Sequence, residues 1–151
     1  MTAWEDGAPE PPCSPRIFVA TADARLVAVD AATGRRCEGF GAGGEVDLSV
    51  AVAPPHPSEL GITSPPIVVG DVVIVGSSIG ENRRVDMPSG MVQAFNARSG
   101  APRWQWDPIP RDPADPARAG WAGDSADRTG GANVWSLGSA DPERDLVFLP
   151  T

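Results

Sequence analysis

The chain has 151 residues and a formal charge of −8 at pH 7, with 12 basic against 20 acidic side chains. Phosphate binding needs clustered Arg and Lys, and here the basic residues are scattered, which argues against nucleic acid or an anionic membrane as partner. The 17 Gly and 17 Pro, with no long apolar pattern of period 3.6, predict short strands and extended loops: an all-β chain.

In chain order, residues 1–15 are Pro-rich and acidic, with Trp4 the single aromatic, and read as a loop or ragged start to a folded body over 16–151. They lack the apolar core of a signal peptide, so any export signal is expected upstream. No stretch approaches the roughly 20 apolar residues of a membrane span. Cys13 and Cys37 are compatible with one disulfide in an oxidising compartment and equally with two buried thiols; without accompanying histidines they do not suggest zinc.

Residues 16–30 read as a hairpin. A long connection over 41–61 follows, containing a Pro cluster around His56, the only histidine, which is expected to be an exposed loop residue. Residues 62–106 then form one complete four-stranded antiparallel unit. Its strands are 66–69, 72–75, 90–96 and 102–106, with Gly70-Asp71 as a two-residue hairpin turn. Residues 16–40 repeat its second half. Val19 matches Val75, Ala28 matches Ala94, Asp30 matches Asn96, and Thr33-Gly34 matches Ser99-Gly100.

Residues 107–129, rich in Pro, Asp and Arg, form another long connection, in which Asp112 and Asp115, like Arg83 and Arg84, read as solvated charges. A third partial copy starts near Asn133, with a turn over 140–144 before a strand over 145–150. The chain therefore reads as part of something larger. In an up-and-down meander the short turns 31–34, 70–71 and 97–100 share one end, and the long segments 41–61, 79–89 and 107–132 share the other. Elaborated loops gathered at one end of a rigid scaffold are the arrangement expected of a site.

The phrases ATADARLVAVDAATGRRC, TSPPIVVGDVVIVGSSIGEN, GMVQAFNARSGAPRWQWDP and GGANVWSLGSADPERDLVFLPT resemble consecutive pieces of the pyrroloquinoline quinone (PQQ) dependent dehydrogenases, in particular the membrane-bound quinoprotein glucose dehydrogenase group. The resemblance covers nearly the whole chain from Trp4 onward. It implies an eight-bladed β-propeller, of which this chain supplies one complete blade and parts of two neighbours. It also implies a blade motif A-x-D-x-x-T-G-x-x-x-W. Ala94, Asn96, Ser99, Gly100 and Trp104 match it, with Asn and Ser for Asp and Thr, whereas the earlier copy has Glu38 in place of the tryptophan.

By the same resemblance Trp135 is the aromatic floor on which PQQ lies, a flat indole giving broad contact with little entropy to lose. Ser78, Thr63 and Asn133 correspond to positions that contact the quinone. Glu81 and Asn82 correspond to ligands of a hard cation, Ca2+ or Mg2+, which prefers carboxylate and amide oxygens. The implied reaction is oxidation of a sugar or alcohol by hydride transfer to PQQ, with electrons passed to ubiquinone or a haem protein. The family's aspartate base falls beyond Thr151, so no catalytic residue is assigned and the chain alone is not expected to be active. The implied location is the periplasm, with membrane attachment only through segments outside this chain. A non-catalytic propeller module for protein contacts in the cell envelope would use the same repeat. It would lack the GSSIGEN and GANVW loops.

Overall fold

The computed structural model describes residues 1–7, 13–80 and 84–151. The first sheet consists of β1 (Thr2–Trp4), β2 (Arg16–Ala20), β3 (Arg25–Asp30) and β4 (Glu45–Asp47), antiparallel and in chain order. Next come β5 (Leu60–Gly61), β6 (Ile67–Val69), β7 (Val72–Val75), β8 (Ser78–Ile79), β9 (Val92–Asn96) and β10 (Pro102–Trp106). Of these, β6, β7, β9 and β10 form the second four-stranded meander, while β5 and β8 make a separate two-stranded ribbon. A hairpin of β11 (Ser139–Asp141) and β12 (Leu146–Phe148) follows. Only short helical turns interrupt the connections, two of them α1 (Ser49–Val52) and α2 (Ser125–Arg128).

The pattern of burial explains the stacking. Along β3, Leu26 and Ala28 are buried while Val27 and Val29 are half-buried, the two-residue period of a sheet packed harder on one face. Their face joins Phe18, Phe40, Val73, Val75 and Phe95 in the main core between the two sheets. On β7, Ile74 points the other way and packs with Val92, Ala94 and Val134 against the third hairpin. The unbroken apolar run VVIV is what a strand covered on both faces requires.

The internal repeat is built by one turn used twice. The Asp30 Oδ1 accepts from the Thr33 amide at 2.8 Å and its hydroxyl at 2.7 Å, and Gly34 closes the turn at φ +70°. The Asn96 Oδ1 accepts from the Ser99 amide at 2.9 Å and its hydroxyl at 3.0 Å, and Gly100 closes at φ +72°. Each glycine occupies the left-handed region that a Cβ disfavours.

Several boundaries differ from expectation. Thr2–Trp4 pairs with β2 where the sequence reads as a loop, because Trp4 is buried and its Nε1 donates to the Gly70 carbonyl at 2.8 Å. The first sheet thereby reaches four strands. Its fourth strand is interrupted after the bridge at Arg36, and the detour buries Cys37 and Phe40 near the position where Glu38 replaces the motif tryptophan. Trp104, which keeps that position in the second sheet, is 40% exposed. Ala140 and Asp141, expected within a turn over 140–144, belong to β11 and pair with β12 instead. Cys13 and Cys37 form a disulfide, resolving the two readings of the sequence.

The short-turn end locks the two sheets together. The buried Arg16 guanidinium donates to the carbonyls of Cys13, Ala97 and Arg98 at 3.0, 2.9 and 2.8 Å and stacks on the Trp4 ring. Burial pulls its pKa down, partly opposed by the nearby Asp6 carboxylate. Asp6 in turn takes two hydrogen bonds from Arg98. Gly41 also lies at this end, its amide donating to the Ser99 carbonyl at 2.9 Å, so the expected long connection 41–61 starts here, contains β4, and only its later part belongs to the opposite end.

Candidate functional site

Three parts of the chain far apart in sequence meet at the long-loop end: 57–63, the described residues 76–80 and 84–90, and 130–135. The first two are joined by the β5–β8 ribbon, which pairs Leu60 with Ile79 and Gly61 with Ser78. The third is sewn along the second by main-chain bonds. The Gly130 amide donates to Val85 O at 2.8 Å, Gly131 to Pro88 O at 3.0 Å and Ser77 to Val134 O at 3.0 Å. Gly90 and Asn133 form a parallel bridge, which is why the third central strand begins at Val92 and not at Gly90.

This seam is possible because glycines line it. A Cβ on Gly76 would lie 2.1 Å from Val134 O, on Gly90 1.8 Å from Ala132 O, and on Gly130 1.6 Å from Met87 O. Only a residue without a side chain permits such backbone approach.

The residues singled out from sequence are distributed around the seam. Thr63 and Ser78 line one shallow cavity of about 220 Å³, with Gly61 and Gly80 among its other walls. Trp135 is exposed, leaving its indole open to solvent, and its carbonyl accepts from the Thr63 hydroxyl at 3.1 Å. Asn133 is buried and spends its side-chain amide on the Ser77 carbonyl at 2.8 Å, so what it does here is fasten the seam. Glu81 and Asn82, the expected cation ligands, lie outside the described residues, as does Arg83. Among the described residues no cluster of three or more His, Cys, Asp or Glu side chains could hold a metal.

Two features carried no sequence signal. The Ser77 hydroxyl is buried without a hydrogen-bonding partner among the described residues, a state that costs free energy unless something else satisfies it. Arg84 is no free solvated charge: it clamps the carboxylate of Glu59 through Nη1 and Nη2 and also pairs with Asp86. Glu59 is buried, and the hydrogen bond from Arg84 holds its carboxyl below the usual range in spite of that burial. Nothing in the polar stretch around His56 marks Glu59 as different from its neighbours. His56 itself is exposed, as expected.

A larger open cleft of about 670 Å³ lies nearby, lined by Met87, Ser89, Arg111, Asp127 and Arg128 among others. Arg111 pairs with Asp107, Asp127 with Arg118, and Arg128 with Asp124, so these three wall charges are already neutralised. Asp112 and Asp115 accept from the amides of Ala114 and Ala117 at 2.8 Å each, shaping the loop behind it. Among the described residues, none of those expected to contact a cofactor lines this cleft.

Comparison with known proteins gives the same picture at family level. Residues 1–151 match the family described as PQQ: glucose/ethanol/alcohol dehydrogenase, beta-propeller domain. The large subunit of glycerol dehydrogenase from Gluconobacter oxydans (strain 621H) is 39% identical over 93% of this chain and 18% of its own length. The quinoprotein glucose dehydrogenase of the same organism is 37% identical over 96% of this chain and 18% of its length. The quinate/shikimate dehydrogenase (quinone) of Acinetobacter baylyi is 35% identical over 91% and 17%. Among solved structures, a europium-containing methanol dehydrogenase superposes with a TM-score of 0.61 and 27% identity, covering 87% of this chain and 23% of that one. The chain thus spans less than a fifth of the length of these three curated relatives. Two stacked meanders closed by one repeated turn, together with a family match along the entire chain, make it a member of the PQQ-dependent dehydrogenase β-propeller family.

Proposed function

We propose that this chain is a section of a PQQ-dependent dehydrogenase that oxidises a sugar, such as glucose, or another alcohol, and that its long-loop end forms one wall of the cofactor site. The observation that carries the reading is the convergence of Thr63, Ser78 and Trp135, brought together from three segments by the seam. The buried Ser77 hydroxyl, without a hydrogen-bonding partner among the described residues, does not line the cavity, so the fit to a ligand rich in carboxylate and carbonyl acceptors rests on Ser78 and on the exposed Trp135 ring. The cavity, about 220 Å³, is smaller than the roughly 300–1,000 Å³ of complete ligand pockets, in keeping with a wall that other parts of the protein would complete.

When bound, PQQ supplies the oxidant, an ortho-quinone that takes up hydride from the alcohol carbon. The chain's own part is to bind and orient. Trp135 offers an exposed ring face for stacking, the Ser78 hydroxyl offers a donor in the adjoining cavity, and the Thr63 hydroxyl, whose proton goes to the Trp135 carbonyl, steadies the segment that carries the ring. Glu81 and Asn82 have the donor chemistry for Ca2+ or Mg2+. The substrate's proton acceptor would come from outside this chain, and the electrons would pass on to a partner, ubiquinone or a haem protein. The disulfide supports a periplasmic location, since such bonds persist in oxidising compartments. No helix among the described residues is long and apolar enough to cross a membrane.

The test is titration of the chain with PQQ in the presence of calcium, followed by tryptophan fluorescence. Quenching in the wild type that is largely lost in Trp135→Ala is the expected result. No quenching, or identical quenching in the variant, would remove the assignment.

A further inference from the structure

Glu59 touches both Gly80 and Arg84. Its main-chain carbonyl accepts from the Gly80 amide at 3.4 Å, and its carboxylate takes both guanidinium nitrogens of Arg84. Glu59 directly precedes β5, the strand that pairs with Ser78 and Ile79 and leads on to Thr63. That ribbon has two residue pairs, too few to fix its own geometry. A buried carboxylate is costly unless fully paired, and a bidentate Arg is the pairing that compensates best. The cost is met here beside a cavity wall, where the structure otherwise has little to hold it.

We propose that Glu59, acting through Arg84 and Gly80, is a positioning residue for the cofactor cavity: it ties both of them to the residue that leads into the β5–β8 ribbon and so fixes Ser78 against Thr63. This rests on the cofactor reading above, since a brace on an empty ribbon would have no binding consequence. Glu59 touches no ligand itself. The pair serves as a strut, with Asp86 as the only further charge bonded to Arg84 among the described residues.

Three variants of the full chain test it: Glu59→Gln, Arg84→Gln and the two combined. Each single change should raise the PQQ concentration for half-saturation by about tenfold, the usual scale for losing a residue that orients ligand-binding groups. The combined variant should be no worse than either alone, because both remove one interaction. Hydrogen exchange at Ser78, Ile79 and Gly80 should quicken in all three, while that of β2 and β3 stays unchanged. Intact wild-type binding with unaltered half-saturation in both single variants would overturn the strut. Additive losses would overturn it as well. If the wild type shows no PQQ response, the cofactor reading fails first; exchange at 78–80 then decides the strut on its own, unaltered exchange overturning it.

Discussion

The Thr63 hydroxyl donates to the main-chain carbonyl of Trp135 at 3.1 Å across 72 residues of sequence. The bond ties the entry to β6 directly to the segment that presents the indole. Thr63→Val keeps the shape and removes the donor, which is worth about 1 kcal/mol or roughly a fivefold change in an equilibrium. PQQ affinity, read from tryptophan quenching, should fall by up to about that factor, and the unfolding free energy by no more than about the same 1 kcal/mol. An unchanged affinity would mean that Trp135 is held by its neighbours without help from Thr63.

The glycine seam makes a sharper prediction. Gly90→Ala and Gly130→Ala place a methyl within 2 Å of a backbone oxygen, so the strands must part, at a cost of about 1–3 kcal/mol or more. Gly120→Ala, where a Cβ meets nothing within 4 Å, is the control and should be close to neutral. Urea unfolding of the three variants separates them. Equal midpoints would show that the seam opens without cost.

Much of this arrangement was legible beforehand because it is local. The Gly70-Asp71 turn, the strands at 72–75 and 102–106, and the equivalence of Asp30 with Asn96 follow from turn chemistry and period-two apolar spacing, which act over a few residues. The separation of short and long connections also pointed to the end where Thr63, Ser78 and Trp135 gather. What escaped is non-local. Trp4 becomes a strand residue only because the Gly70 carbonyl and the Arg16 guanidinium await it from elsewhere in the fold. Arg84 looks solvated until Glu59, 25 positions earlier, is seen buried beneath it. Asn133, expected to contact a cofactor, also donates its side-chain amide to the Ser77 carbonyl, a partner that no motif reveals.

Arg16 and Arg103 make a useful contrast. Arg16 is 4% exposed and satisfies three carbonyls, so Arg16→Met leaves acceptors buried without donors, at about 1–3 kcal/mol in total or more. Arg103 pairs with Asp71 at the surface, and Arg103→Met should cost no more than about 1 kcal/mol. Equilibrium denaturation checks the order; a reversed order would mean that the short-turn end contributes little to holding the sheets together.

Acid should loosen the loops by a definite route. The hydrogen bond from Arg118 holds the Asp127 carboxyl below its ordinary value, and the Thr33 hydroxyl does the same for Asp30. A depressed carboxylate contributes stability that is fully present above its unfolded pKa and is lost as pH falls through the folded one. The unfolding midpoint should therefore be flat near neutrality and decline below the ordinary carboxylate range. Asp127→Asn should flatten that decline, and a slope unchanged by the substitution would count against the pairing.

The Cys13–Cys37 disulfide spans 24 residues, and closing a loop of that size restricts the unfolded chain by about 3 kcal/mol in the chain-entropy account. It also anchors the residue whose carbonyl receives Arg16, next to the strand that carries the contacts to the second sheet. Reduction should then act in two ways: a lower midpoint from the freed unfolded chain, and faster exchange at the Trp4 indole Nε1–H, whose acceptor is the Gly70 carbonyl. A Cys13→Ala/Cys37→Ala variant measured beside the reduced wild type separates the bond from the reductant. If both melt about 3 kcal/mol lower with an unprotected Trp4 indole, the disulfide serves the interface between the sheets; if the indole stays protected, its effect lies in the unfolded chain alone.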